Sequence, residues 1–163
     1  MLVVIADTSP LRYLIQIGHI DLLPLLFQRI AIPTTVADEL RHASAPQPVR
    51  NWMQQLPEWV SVSSAPELDD SSLETLDPGE RAGIELGLSL KADLILIDER
   101  KGAAVARRKG FEVTGTLGVL DLAAELGHVG LSDALDRLKQ TNFRYRPDLF
   151  SALLQKHREV GHT

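Results

Sequence analysis

The sequence contains no cysteine, which excludes a disulfide framework and any Cys-based zinc site. It has no run approaching the roughly 18 uninterrupted apolar residues that a membrane helix needs. The opening segment MLVVIAD carries no basic n-region, and its apolar run stops at Asp7, too short for a signal peptide. A basic excess is also missing, the formal net charge being −5 at pH 7. A chain that holds nucleic acid by neutralising phosphates alone is usually basic. The acidic balance therefore counts against a passive binder, and fits carboxylates neutralised by a metal or a basic partner. No internal repeat and no low-complexity tract interrupts the 163 residues. What remains is the expectation of one soluble, cytoplasmic domain over 1–163. With 44% hydrophobic and 24% charged residues it is long enough to bury a core without staples.

Five short stretches are apolar and β-rich: 2–6, 29–32, 59–63, 93–97 and 111–113. Helical periodicity fills the intervals, at 11–17, 20–27, 34–42, 49–54, 79–90, 99–109 and 117–126, and two more helices, 131–140 and 147–158, pack on at the end. Alternation of this kind reads as βαβ units and a parallel sheet covered on both faces. Ser9-Pro10 and Asp77-Pro78 read as an N-cap followed by proline at the first helical position. Gly18, Gly110 and Gly127 follow helical runs, where a left-handed stop is wanted. The stretch 63–77 reads as a polar, acidic surface loop.

Ligands of open parallel sheets bind beyond the carboxyl ends of the strands. Asp7 ends LVVIA and Asp98 ends LILI, and each puts a charge at the rim of the core, a costly placement unless a cation meets it. A right-handed crossover makes strands one and four neighbours on that rim. Glu39 in PTTVADEL and Glu80 in DPGE lie near helix starts on the same side. Each acid also has an ordinary reading. Asp7 and Asp98 could cap the helices that follow them, and Glu80 has capping-box spacing from Asp77. Glu39, beside Asp38, could belong to a solvated helix face. The set says more than any member, because two acids come from strand ends and two from helix starts flanking one rim.

The segments VVIADTSPLRYLIQIGHIDLLPLLF, IAIPTTVADEL, LDPGERAGIELGLSLKADLILIDERKGAAVARRKGFEVTGTLGVL and TNFRYRPDLFSALL, in that order, resemble the PIN domain, and more closely its toxin-like bacterial and archaeal branch. The resemblance implies a three-layer α/β/α fold with a central, mostly parallel five-stranded sheet. It implies an endoribonuclease dependent on Mg²⁺ or Mn²⁺, the toxin of a toxin–antitoxin pair. Asp7, Glu39, Glu80 and Asp98 correspond to the family's catalytic acids, with Asp7, Glu80 and Asp98 as the metal ligands. Thr8 and Ser9 stand where relatives carry small hydroxyl or amide residues beside the first acid. An RNA substrate, a small antitoxin protein, a homodimer and no membrane complete what is implied. One position departs from the pattern: two residues beyond Asp98, where relatives often carry a second acid, stands Arg100. Glu99 is adjacent and could substitute, although a one-residue shift changes its direction; the departure bears on a second metal more than on the first. Hard oxygen ligands suit Mg²⁺ or Mn²⁺, and the family's hydrolysis leaves a 5′-phosphate and a 3′-hydroxyl.

Arg100, Lys101, Arg107, Arg108 and Lys109 give the helix after Asp98 a basic face. It reads either as phosphate guidance or as cations gathered toward a helix C-terminus. Arg100 and Lys101, next to Asp98, are the substrate-binding candidates of that face. Thr116 follows the fifth strand near the rim, either touching a ligand or capping the helix after it. His19, His42, His128, His157 and His162 lack metal-ligand spacing and read as surface positions. Trp52 and Trp59 read as packing residues. Two other functions compete. A catalytically silent nucleic-acid-binding module of the same fold gains from Arg100 and loses from the acidic charge. A receiver-like phosphoacceptor loses because the third strand ends in serines rather than Asp.

Overall fold

Strands that are apolar on both faces are stable only between two helical layers, and the computed structural model, which describes residues 2–159, has that arrangement. His162 lies outside the described residues. The strands are β1 (Val4–Ala6), β2 (Ile30–Pro33), β3 (Val60–Ser63), β4 (Leu94–Leu96) and β5 (Glu112–Thr114). They form one sheet in the order β3-β2-β1-β4-β5, and every pairing is parallel. β1 therefore lies between β2 and β4, at the point where the strand order reverses and a crevice opens at the carboxyl edge. The register sets Ile5 opposite both Ala31 and Ile95, and Ala6 opposite Leu96.

The helices are α1 (Thr8–Gln16), α2 (Leu22–Phe27), α3 (Thr34–Arg41), α4 (Gln47–Gln54), α5 (Pro78–Leu90), α6 (Arg100–Arg108), α7 (Thr116–Glu125), α8 (Leu131–Lys139) and α9 (Pro147–Glu159). Alternation along each strand sorts the side chains into two cores. Val4, Ala6, Ile30, Ile32 and Leu96 face the larger one, with buried residues of α1–α4 and α7–α9. Ile5, Ala31, Ile95 and Ile97 face the smaller one, under α5 and α6. Together these are the three layers. Trp52 and Trp59 meet at 6.0 Å and pack on the larger core. Gly18, Gly110 and Gly127 all have positive φ, as their helix-stopping positions require. No helix among the described residues is long and apolar enough to cross a membrane.

Two local expectations are corrected. The first helix begins at Thr8, so Pro10 is its third residue, and Asp7 rather than Ser9 holds the N-cap position. The stretch 63–77 is not only a surface loop. It makes a 3₁₀ turn at Ser71–Leu73, initiated by Asp70 accepting from the Ser72 N–H, and drives Leu73 and Leu76 into the smaller core. Isolated leucines among acids carry no period, so the sequence pattern alone could not assign them a face.

Leu73 is fully buried although it lies outside any long element. Leu73→Ala is expected to cost about 2–5 kcal/mol, as for a core leucine. Urea unfolding should show a lower midpoint at unchanged slope; a shift within error of the parent would mean that the turn does not anchor this edge.

Candidate metal centre

Asp7 immediately follows β1, and its N–H donates to the Leu96 carbonyl of β4 at 2.9 Å, so the ladder itself fixes the residue at the rim. Its side chain makes no capping bond to α1. It is 5% exposed, and Oδ1 has no hydrogen-bond partner among the described residues. Burial pushes the Asp7 carboxyl up to about 8; the Thr8 backbone N–H opposes this, while Asp77, Glu80 and Glu39 add repulsion.

Glu39 comes from α3 and accepts the Thr8 hydroxyl at 2.5 Å. Gly79, in the first turn of α5, faces both acids. A Cβ there would stand 2.8 and 3.0 Å from the Glu39 carboxylate oxygens and 3.1 Å from Asp7 Oδ1. Asp7 and Glu39 thus converge on one point, and the missing side chain of Gly79 leaves room for them.

Glu80 uses its two oxygens differently. Oε1 accepts the Asp77 N–H at 3.2 Å while Asp77 Oδ1 accepts the Glu80 N–H at 2.8 Å, a complete capping box. Oε2 is buried without a partner and lies against Gly102 of α6, where a Cβ would come within 2.5 Å of it. Burial pushes Glu80 up to about 7, and the neighbouring Asp77 carboxyl adds to the rise. Asp98 does not cap α6, whose N-cap position is Glu99. It accepts the Thr116 N–H at 2.6 Å and the Thr116 hydroxyl at 2.7 Å. Burial raises its carboxyl, and these two bonds from Thr116 oppose the rise.

The structure therefore brings Asp7 and Glu39 together at Gly79, turns Glu80 toward Asp77 and Gly102, and holds Asp98 on Thr116. Asp77, which the sequence presents as a helix cap, is a further acid of this cluster; the motif DPGE contained both roles without showing the second. Among the described residues no lysine or arginine pairs with Asp7, Glu39, Asp77, Glu80 or Asp98. The group has buried, unpartnered oxygens, a glycine-lined space and hard oxygen donors alone, the donor chemistry of a divalent cation of the Mg²⁺ or Mn²⁺ class, while no three of its acids bring ligand atoms within 4.8 Å of one another.

The other candidates are placed as follows. Ser9 and Arg100 line a cleft of about 700 Å³ that opens from Asp98. Lys101 is exposed on α6. Lys109 is drawn out of the basic face by an ion pair with Asp70. Thr116 is fully buried and serves Asp98 rather than the cap of α7. His157, expected at the surface, is also fully buried, its Nε2 2.6 Å from Asp121 Oδ1. Asp121, Glu125 and His157 are the trio of possible metal ligands whose atoms all lie within 4.8 Å of one another among the described residues. Lys156 already lies 2.9 Å from Asp121 and 2.8 Å from Glu125, so an ammonium of the chain meets both carboxylates and ties α9 to α7.

A family model described as a PIN domain matches residues 3–159. No curated protein and no solved structure matches the chain.

Two outcomes follow from the crowded carboxylates. An acid whose folded-state pKa is raised stabilises most below its unfolded value and loses that contribution as pH rises toward the folded value. The metal-free protein is therefore expected to lose thermal stability between about pH 4 and about pH 8, and Asp7→Asn to flatten the slope. Mn²⁺ should raise the melting temperature more at the alkaline end, because it holds the acids ionised. Calorimetry across that range tests this, and a metal-free parent whose slope matches that of Asp7→Asn would contradict it. Gly79→Ala should displace Asp7 and Glu39 and weaken Mn²⁺ binding about tenfold or more with little loss of helix; unchanged affinity by titration calorimetry would show that Asp7 does not hold the ion.

Proposed function

Because this chain belongs to the PIN-domain family, we propose that it is a Mg²⁺- or Mn²⁺-dependent endoribonuclease. The observation that carries the reading is the pair of buried, unpartnered oxygens, Asp7 Oδ1 and Glu80 Oε2, at the rim where β1 and β4 run side by side. In this reading Asp7, Glu80 and Asp98 hold the metal and Glu39 completes the catalytic acids. A bound divalent cation lowers the pKa of a water and offsets charge on the scissile phosphate.

The chain's own residues account for the remaining requirements. The Thr8 hydroxyl keeps Glu39 turned toward Asp7. Thr116 fixes Asp98 through two bonds, so that its orientation does not depend on the helix that follows. We assign to Glu39, half-buried and free of any helix-capping duty, the acceptance of a proton from the attacking water. Ser9, Arg100 and Lys101 would meet the substrate backbone. The finer part of the proposal makes the enzyme a cytoplasmic toxin, active as a homodimer and silenced by a small antitoxin. Exposed Leu25 of α2, Leu122 of α7 and Leu126 just beyond α7, the two helices being in contact, support the self-associating face.

Arg100, standing where a second acid is common, favours one other reading, a silent nucleic-acid-binding module. Incubation of structured and single-stranded RNAs with Mn²⁺, Mg²⁺ or EDTA separates the two. Metal-dependent cutting to 5′-phosphate and 3′-hydroxyl ends, lost at least a hundredfold in Asp98→Asn, is expected of the nuclease. Binding without cutting by folded parent protein would establish the module, and a 2′,3′-cyclic phosphate product would reject the proposed chemistry.

A further inference from the structure

We propose that the cleft beside the acids is a track for a single strand of RNA, in which an unpaired base stacks on Tyr145 while Arg100, Arg107 and Arg144 hold the flanking phosphates. The identity of the strand rests on the nuclease reading; the track itself rests on the following geometry. The cleft, about 700 Å³, runs from Asp98 and α6 to the segment 141–146 that joins α8 to α9. Aromatic residues are only 5% of the chain, yet both of its tyrosines, Tyr13 and Tyr145, line this cleft together with Phe143.

The outer wall is held in shape by its own contacts. The Tyr13 ring meets Phe143 edge-on at 5.0 Å, and its hydroxyl donates to Asn142 Oδ1 at 3.0 Å. The Thr141 hydroxyl donates to the Leu138 carbonyl at 2.6 Å and accepts the Phe143 N–H at 3.1 Å. Tyr145 stacks on the buried Phe150 at 4.3 Å and 19°, and remains 38% exposed. A ring packed flat on a buried partner loses little freedom when a base covers it.

The charges point the same way. Arg100, Arg107 and Arg144 have no carboxylate partner among the described residues, whereas Arg146 at the end of the segment pairs with Asp148 at 2.9 Å. In a chain of net charge −5, three unpaired guanidiniums along one cleft make a local exception that suits an anionic backbone. The aromatic rings decide between single strand and duplex, since the bases of a duplex are already stacked on one another and cannot cover a ring recessed in a cleft.

The test is fluorescence anisotropy of a short labelled single-stranded RNA against the same sequence as a duplex, with the full-length protein in Ca²⁺ and intact RNA verified on gels. The parent is expected to prefer the single strand. Tyr145→Ala should weaken it about tenfold, and Tyr145→Phe should match the parent, which loss of folding would not do; Arg144→Ala should weaken single strand and duplex alike. Unchanged binding by folded Tyr145→Ala, a preference for duplex, or no binding by the parent would overturn the track. A parent that binds in this manner but never cuts with Mn²⁺ would leave the track standing and reject the nuclease. Cutting with a Michaelis constant indifferent to Tyr145 would do the reverse.

Discussion

The Asp7 carboxylate is buried at the end of a strand whose hydrogen-bond ladder runs on through its own N–H, so the sheet fixes at the rim the backbone that carries it. The other features of the rim are arranged around that constraint. β1 is central because only a strand flanked by β2 and β4 delivers its last residue into the crevice rather than onto an edge. α3 and α5 approach closely enough to add Glu39 and Glu80 because Gly79 contributes no side chain between them. No lysine or arginine among the described residues pairs with these acids, and the folded protein carries their repulsion. Proteins tolerate such local destabilisation where the site is used for something else.

Glu80 shows that a structural and a functional reading of one residue need not compete. One oxygen closes the capping box of α5, which fixes the backbone, and the other is left over, buried and aimed at α6. The cap is what holds the free oxygen in register, because a carboxylate bound at one oxygen can rotate little about its remaining bond. Thr116 gives Asp98 the equivalent rigidity from a different element, β4 being held from the start of α7.

Much of this was legible in the sequence. The five strands and the helices between them announce themselves as apolar runs and 3.6-residue periods, and the acids at strand ends stand out because a charge closing an apolar run is costly. What could not be read depends on contacts distant along the chain. Asp98 and Thr116 are 18 residues apart and meet only because β4 pairs with β5. His157 looks like one more polar residue on a helix until α9 lays it against Asp121 of α7. Asp77 reads correctly as a cap, but its repulsion of Asp7 appears only when α5 is set beside β1. Lys109 belongs to a basic face by sequence and to Asp70 by folding.

The tie between α9 and α7 bears on how ionic strength acts on this molecule. Lys156 bridges Asp121 and Glu125 at the surface, where dissolved salt screens it readily. The same helix carries Phe150, the support under Tyr145 and so under the outer wall of the cleft. For any anion held there, added salt weakens the attraction of the arginines and loosens the wall they work against. A plot of affinity against salt would therefore be steeper than the phosphates alone dictate, and its slope would overcount them.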